Sequence, residues 1–130
     1  MRILVVDDDY TSRTQLKSLL AAYGDCDVAP GGEAALLLFR DALESGLPYE
    51  LVTLDIEMPG MDGKKVLELL RAQEEKLAVP AAKRSKVLMV TVKNRLKDVS
   101  ESYNKECSGY IVKPATPQSL KEALKETGLA

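Results

Sequence analysis

Leu51-Val52-Thr53-Leu54-Asp55-Ile56-Glu57-Met58-Pro59-Gly60-Met61-Asp62-Gly63 is the stretch whose reading decides the fold. Leu51 to Leu54 is a short, largely apolar run, the pattern of a strand buried on both faces. An aspartate follows it at once. Pro59 to Gly63 is turn chemistry, because proline presets one backbone angle and glycine accepts conformations that other residues avoid. Lys64 to Glu75 then reads as a helix with Val66, Leu67 and Leu70 on its inner side. The segment is one strand–loop–helix unit with a carboxylate at the end of its strand.

Similar units stand on either side. Upstream, Ile3-Leu4-Val5-Val6 is a buried strand stopped by Asp7, Asp8 and Asp9. Thr11 or Ser12 is expected to cap the following helix, whose stripe is Leu16, Leu19, Leu20 and Tyr23, with Gly24 closing it. Cys26 to Ala29 is shorter and more polar, as suits an edge strand. After the turn Pro30-Gly31-Gly32, Glu33 to Leu43 is expected to be helical, with Ala34, Leu37, Leu38 and Ala42 on one side. Gly46-Leu47-Pro48 breaks it. Downstream, Leu77 to Lys86 is a long connection containing proline and alanine, expected to be mobile. Val87 to Val90 forms a fourth strand ending at Thr91. Leu96, Val99 and Tyr103 give a fourth helix a thin stripe. Gly109 to Val112 is a fifth strand, stopped by Lys113-Pro114. Thr116 or Pro117 starts the last helix, with Leu120, Ala123 and Leu124 inward and Gly128 at its end.

Strand and helix thus alternate five times. This predicts an α/β fold: a doubly wound five-stranded parallel sheet with helices on both faces and right-handed crossovers. The flavodoxin-like order 2-1-3-4-5 suits five units and makes the first and third strands neighbours at the switch point, where ligands bind beyond the carboxyl ends. Residues 1–130 read as a single domain with no output domain.

The totals narrow the function. Twenty acidic and 18 basic side chains give a net charge of -2, which offers no electrostatic case for nucleic acid or a membrane surface as a partner. No apolar run reaches membrane-spanning length, and the N-terminus turns acidic too soon for a signal peptide. A cytoplasmic location is expected. Cys26 and Cys107 form no close-spaced metal motif and read as free thiols. The chain has no histidine, which removes histidine catalysis, histidine metal sites and a histidine phosphoacceptor of its own.

On this frame Asp7 and Asp8 lie past strand 1, Asp55 past strand 3, Thr91 past strand 4 and Lys113 past strand 5. Any one of them has an ordinary explanation as a capping, turn or solvated residue; five at one rim of the sheet do not. Three carboxylates in one crevice repel one another, so without a cation at least one has a raised pKa. A hard divalent ion relieves the repulsion, and Mg²⁺ favours one or two carboxylates together with water and phosphate oxygens. Asp55 becomes the candidate nucleophile for a phosphoryl group, Lys113 a fixed positive charge and Thr91 a hydroxyl donor. Phosphoryl transfer asks the protein for little beyond such positioning and charge.

With Asp7-Asp8-Asp9, Leu54-Asp55-Ile56-Glu57-Met58-Pro59-Gly60-Met61-Asp62-Gly63, Val90-Thr91 and Tyr110-Ile111-Val112-Lys113-Pro114 in place, the chain resembles the receiver domain of two-component response regulators, in the stand-alone chemotaxis-type form. The resemblance implies that Asp55 is the phosphoacceptor and that Mg²⁺ (or Mn²⁺) is the cofactor. It implies that Asp8 binds the metal directly, Asp7 through water and Glu57 through its backbone carbonyl. Thr91 and Lys113 would bind phosphoryl oxygens, and Lys113-Pro114 would be a cis peptide bond. Tyr110 matches the family's switch aromatic, which turns inward with Thr91 and reshapes the face of helix 4, strand 5 and helix 5. The implied partners are a sensor histidine kinase or histidine phosphotransfer protein and a downstream protein target, with the receiver itself a monomer or weak homodimer. Such a protein is not a conventional enzyme, though it catalyses its own phosphorylation and dephosphorylation.

The sequence departs from the family pattern in places. Val92 stands where a small residue usually follows the switch threonine, and is expected to slow reaction with small phosphodonors. Glu57 and Lys93 flank the phosphoryl position and are expected to modulate its lifetime. Lys105-Glu106-Cys107 replaces the usual Ala-Gly-Ala at the end of helix 4. Two alternatives remain at this point. One is a degenerate receiver that only binds protein. The other is a haloacid-dehalogenase-type phosphatase with Asp7 as nucleophile, because Asp7-Asp8-Asp9-Tyr10-Thr11 satisfies that family's Asp-x-Asp-x-Thr pattern.

Overall fold

The structure, a computed structural model, describes residues 1–92 and 107–129. Five strands, β1 (Arg2–Val6), β2 (Asp25–Ala29), β3 (Leu51–Asp55), β4 (Lys86–Val92) and β5 (Gly109–Lys113), form one sheet in the order β2-β1-β3-β4-β5. Every pairing is parallel. The helices α1 (Tyr10–Leu20), α2 (Gly32–Glu44), α3 (Gly63–Lys76) and a C-terminal helix (Pro117–Thr127) cover it. The expected doubly wound fold and strand order are thus observed. The expected fourth helix, with Leu96, Val99 and Tyr103, and the segment containing Lys93, Lys105 and Glu106 lie outside the described residues.

Alternation along each strand sorts the core into two layers. Leu4, Val6, Val52, Leu54, Val87 and Met89 pack against α2 and α3. Ile3, Val5, Leu51, Leu88, Val90 and Ile111 pack against α1 and the C-terminal helix, through Leu16, Leu20, Leu120, Ala123 and Leu124. Central strands buried on both faces need an apolar residue at nearly every position, and that is why their sequences read as runs. Edge strand β2 is mostly exposed, with only Ala29 buried.

Several local expectations need correction. The cap of α1 is Asp9, not Thr11 or Ser12: its carboxylate accepts the Ser12 N–H at 3.0 Å. Helix α1 ends at Leu20, and Gly24 does not close it. Gly24 is needed instead because a Cβ there would stand 2.1 Å from the Met1 carbonyl oxygen. The inner face of α2 is Ala35, Phe39 and Ala42, while Leu37 is exposed. The run from Ala34 to Phe39 is apolar on all sides, so spacing alone could not orient it, and the bulky Phe39 takes the core. Thr116 does cap the C-terminal helix, in a reciprocal pair with Ser119, with Pro117 as its first residue.

The connection expected to be mobile is tied down. It contains a short 3₁₀ turn, Ala81–Lys83. The Glu74 carboxylate, fully buried at the end of α3, accepts the Ser85 N–H at 2.8 Å and pairs with Arg71 at 2.6 Å. Arg71 also donates to the Ser85 carbonyl, and the Ser85 hydroxyl to the Tyr49 carbonyl. These bonds fasten the entry of β4 to α3 and to the start of β3.

Candidate functional site

Each candidate residue is placed by a strand end at the carboxyl edge of the sheet. Asp7 follows β1, while Asp55 and Lys113 are the last residues of β3 and β5. Because β1 and β3 are hydrogen-bonded neighbours in register, Asp7 and Asp55 arrive side by side. Asp8 completes a group of three carboxylates whose nearest oxygens all lie within 4.8 Å of one another. Asp7 is fully buried, Asp55 is 5% exposed and Asp8 is open to solvent. Lys113 Nζ reaches over the pair, 3.1 Å from Asp7 Oδ2 and 3.4 Å from Asp55 Oδ1.

The local backbone holds this geometry. Asp9 N–H donates to Asp7 Oδ1 at 2.9 Å, and Arg13 donates to the Asp7 carbonyl at 2.8 Å. Gly63 lets the start of α3 press on the end of β3. A Cβ at that position would sit 2.5 Å from the Asp55 carbonyl oxygen, and the Gly63 N–H donates to the Ile56 carbonyl at 2.9 Å. The Lys113-Pro114 bond is cis, as the resemblance implied. Arg13 and Gly63 escaped the sequence reading. Arg13 carries no signal beyond its place one turn into a helix, whereas Gly63 followed by a helix hinted at a close approach.

Burial and the neighbouring Asp7 charge push the Asp55 carboxyl up to about 7, with Lys113 opposing them. The crowding expected of three carboxylates therefore falls on Asp55. For Lys113, burial works against the ammonium form, but the Asp55 and Asp7 charges outweigh it and the net shift is upward. Asp7 Oδ2 receives no well-aligned hydrogen bond among the described residues, although the Lys113 ammonium stands beside it. That ammonium supplies charge without satisfying the oxygen's geometry.

Thr91 and Val92 lie within β4, which runs two residues further than the sequence suggested. The Thr91 hydroxyl is buried and donates to the Val92 carbonyl at 3.3 Å. By strand alternation Thr91 and Tyr110 share one face of the sheet, and Asp55 and Lys113 the other. Tyr110 packs, half-buried, against the core layer under α2 and α3. Val92 is 42% exposed and pairs in register with Lys113. Glu57 is exposed in the loop after β3, and Lys93 lies outside the described residues.

The family model of the response regulator receiver domain matches residues 3–125. The chain belongs to the response regulator receiver family. This receiver is 36% identical to chemotaxis protein CheY-3 of Vibrio cholerae over 126 residues, covering 95% of this chain and 88% of that protein. It is 35% identical to chemotaxis protein CheY of Pseudomonas aeruginosa, covering 97% and 94%. Among solved structures, a receiver domain protein from Clostridium thermocellum matches it with a TM-score of 0.75 at 25% identity, over 97% of this chain and 92% of that one. The CheY of Borrelia burgdorferi, solved with CheX, BeF3 and Mg, shares the fold with a TM-score of 0.81 at 23% identity, over 98% and 89%. The receiver is therefore of the CheY type, consistent with two-component signalling. Membership sets aside the phosphatase reading, and Asp7 is in any case buried beneath the site. No helix among the described residues is long and apolar enough to cross a membrane.

Proposed function

We propose that this receiver accepts a phosphoryl group on Asp55 from a phosphohistidine of a sensor kinase or phosphotransfer protein, in a Mg²⁺-dependent step. The observation that carries the reading is the buried Asp55 carboxylate set beside Asp7 and Asp8, with one lysine ammonium reaching across Asp7 and Asp55. The donor set is all hard oxygen, and it includes a buried carboxylate oxygen without an aligned donor. Both features fit a small divalent cation. Asp8, Asp55 and the Glu57 carbonyl would hold Mg²⁺ (or Mn²⁺), with Asp7 reached through water. When bound, the ion supplies positive charge to the phosphoryl oxygens and lowers the repulsion among the carboxylates.

The chain's own residues do the rest. An Asp55 carboxylate oxygen attacks phosphorus, a P–O bond forms and the donor's P–N bond breaks. The electron pair leaves with the imidazole nitrogen, which takes up a proton. Lys113 holds one phosphoryl oxygen by charge. Thr91 must exchange its bond to the Val92 carbonyl for one to the phosphoryl group. That exchange moves the hydroxyl toward Asp55 and opens space on the face it shares with Tyr110. Tyr110 then turns inward, and the outer surface of β5 and the C-terminal helix is reshaped for a protein target. These 130 residues contain no histidine, so the donating phosphohistidine lies outside them.

The test is the intact mass after incubation with acetyl phosphate, with and without Mg²⁺, for the wild type and Asp55→Asn. One phosphoryl adduct is expected, only with Mg²⁺ and only on the wild type. An adduct that persists in Asp55→Asn would move the acceptor elsewhere. Wild-type protein left bare by both acetyl phosphate and a phosphohistidine protein would favour a receiver that only binds protein.

A further inference from the structure

At the opposite, amino edge of the sheet lies a second polar recess, about 320 Å³ in volume. Arg71, Glu75, Arg84, Ser85, Lys86 and Ser108 line it. Its basic residues come from the connection between α3 and β4, Lys83-Arg84-Ser85-Lys86, in a chain whose net charge is negative. Arg71 is balanced by the buried Glu74 carboxylate. The charges presented by the recess are therefore Arg84 and Lys86 against Glu75, with Lys83 nearby in the 3₁₀ turn. Lys83, Arg84 and Lys86 make no salt bridge among the described residues.

Part of this lining is held in place, while the Lys86 ammonium is exposed. Arg84 Nε donates to the Val79 carbonyl at 3.2 Å, which fixes the stem of the guanidinium and leaves its terminal nitrogens to the recess. Ser108 Oγ accepts the Val87 N–H at 3.2 Å, so its own O–H remains to be given. The Ser85 backbone is clamped on both sides by Glu74 and Arg71. A guanidinium anchored through its Nε, an ammonium and a hydroxyl lining one polar recess match an oxyanion with several acceptor atoms. Immobilising such donors beforehand lowers the entropy lost on binding.

We propose that this recess binds a phosphate-type oxyanion, either free phosphate or the phosphate group of a small ester. The site is distinct from Asp55: β4 runs from Lys86 at the recess to Thr91 at the other edge, about 16 Å away at strand rise. Occupancy would brace the same connection that Glu74 ties to α3, so the ligand stabilises the entry of β4. Glu75 at the rim is an acceptor for hydroxyl groups, which favours an ester carrying them.

The experiment is an NMR titration of the metal-free full chain with inorganic phosphate and, separately, with ribose 5-phosphate, against chloride at matched ionic strength. Saturable shifts are expected at Ser85, Lys86, Val87 and Ser108, with half-saturation on the order of 1 mM and none at Asp8 or Asp55. Tighter binding of the ester identifies a phosphorylated small molecule as the ligand; equal binding identifies free phosphate. The Arg84→Gln/Lys86→Gln double variant is expected to bind about tenfold more weakly or not at all. Its unperturbed spectrum elsewhere verifies that it folds. The proposal is overturned if neither probe gives saturable shifts up to about 10 mM, or if the double variant binds as the wild type does. Shifts confined to the Asp55 edge overturn it as well. Because no metal or phosphodonor is present, failure here leaves the Asp55 chemistry untouched.

Discussion

The two edges of the sheet treat buried charge in opposite ways. At the amino edge the Glu74 carboxylate is fully buried and fully answered, by the Ser85 N–H and by Arg71. At the carboxyl edge Asp7 is buried as deeply and Asp55 nearly so, yet they share one lysine, and an Asp7 oxygen has no aligned donor. Burying a charge is costly unless it is paired and hydrogen-bonded. The amino edge meets that condition and acts as a clasp. The carboxyl edge leaves it partly unmet, and on the function proposed above a cation and a phosphoryl group would meet it.

Breaking the clasp should have the largest effect on stability. Glu74→Ala leaves Arg71 and the Ser85 N–H without their partner and is expected to cost about 3 kcal/mol in urea unfolding. Relieving the carboxyl edge should do the reverse. Asp55→Asn is expected to stabilise the metal-free protein by roughly 1–2 kcal/mol at pH 8.

The gain must depend on pH in a definite sense. The Asp55 carboxyl is raised from 3.8 to about 7 on folding, so the folded state holds this proton more tightly. The stability that proton contributes is fully present below about pH 4 and is lost as pH rises through about 7. The advantage of Asp55→Asn should thus shrink toward zero near pH 4 and be greatest above 7, as followed by unfolding at a series of pH values. A smaller effect on stability is expected at the start of the C-terminal helix, where Thr116 is not itself one of the buried charges. Thr116→Ala removes one cap of the C-terminal helix and should cost about 1 kcal/mol. The subtlest expectation concerns access to Asp55. Val92, exposed beside Lys113 at the site, should make Val92→Ala react with acetyl phosphate about threefold faster, a difference of ~0.65 kcal/mol in barrier; equal rates would remove Val92 from the account.

The same contrast explains what was legible in the sequence. The carboxyl edge could be read because each central strand is an apolar run halted by a charged or hydroxyl-bearing residue, and parallel topology brings those stops to one rim. That Asp7, Asp8, Asp55 and Lys113 meet at one rim was therefore legible from pattern alone. Thr91 was placed near that rim as well, but it lies inside β4 with its hydroxyl turned to the Val92 carbonyl, a detail that side-chain rotation decides and spacing does not. The amino edge was hidden. Glu74 sits in Gln73-Glu74-Glu75-Lys76, a run that looks like solvated helix, and only the path of the connection buries it. Helix α2 was misoriented because apolar residues surround it from Ala34 to Phe39. Gly24 looked like a helix stop when its reason is the Met1 carbonyl, a contact made across the fold.

The most direct test of the contrast is thermal unfolding at pH 8 of the wild type and Asp55→Asn, each with and without Mg²⁺. Without metal, Asp55→Asn should melt several degrees above the wild type. With Mg²⁺ at about tenfold over its Kd, the wild type should gain about 1.4 kcal/mol, closing the gap, while Asp55→Asn gains less than half as much. A wild type at least as stable as Asp55→Asn without metal, with both gaining equally from Mg²⁺, would contradict the view that Asp55 is held at a cost for a cation and a phosphoryl group.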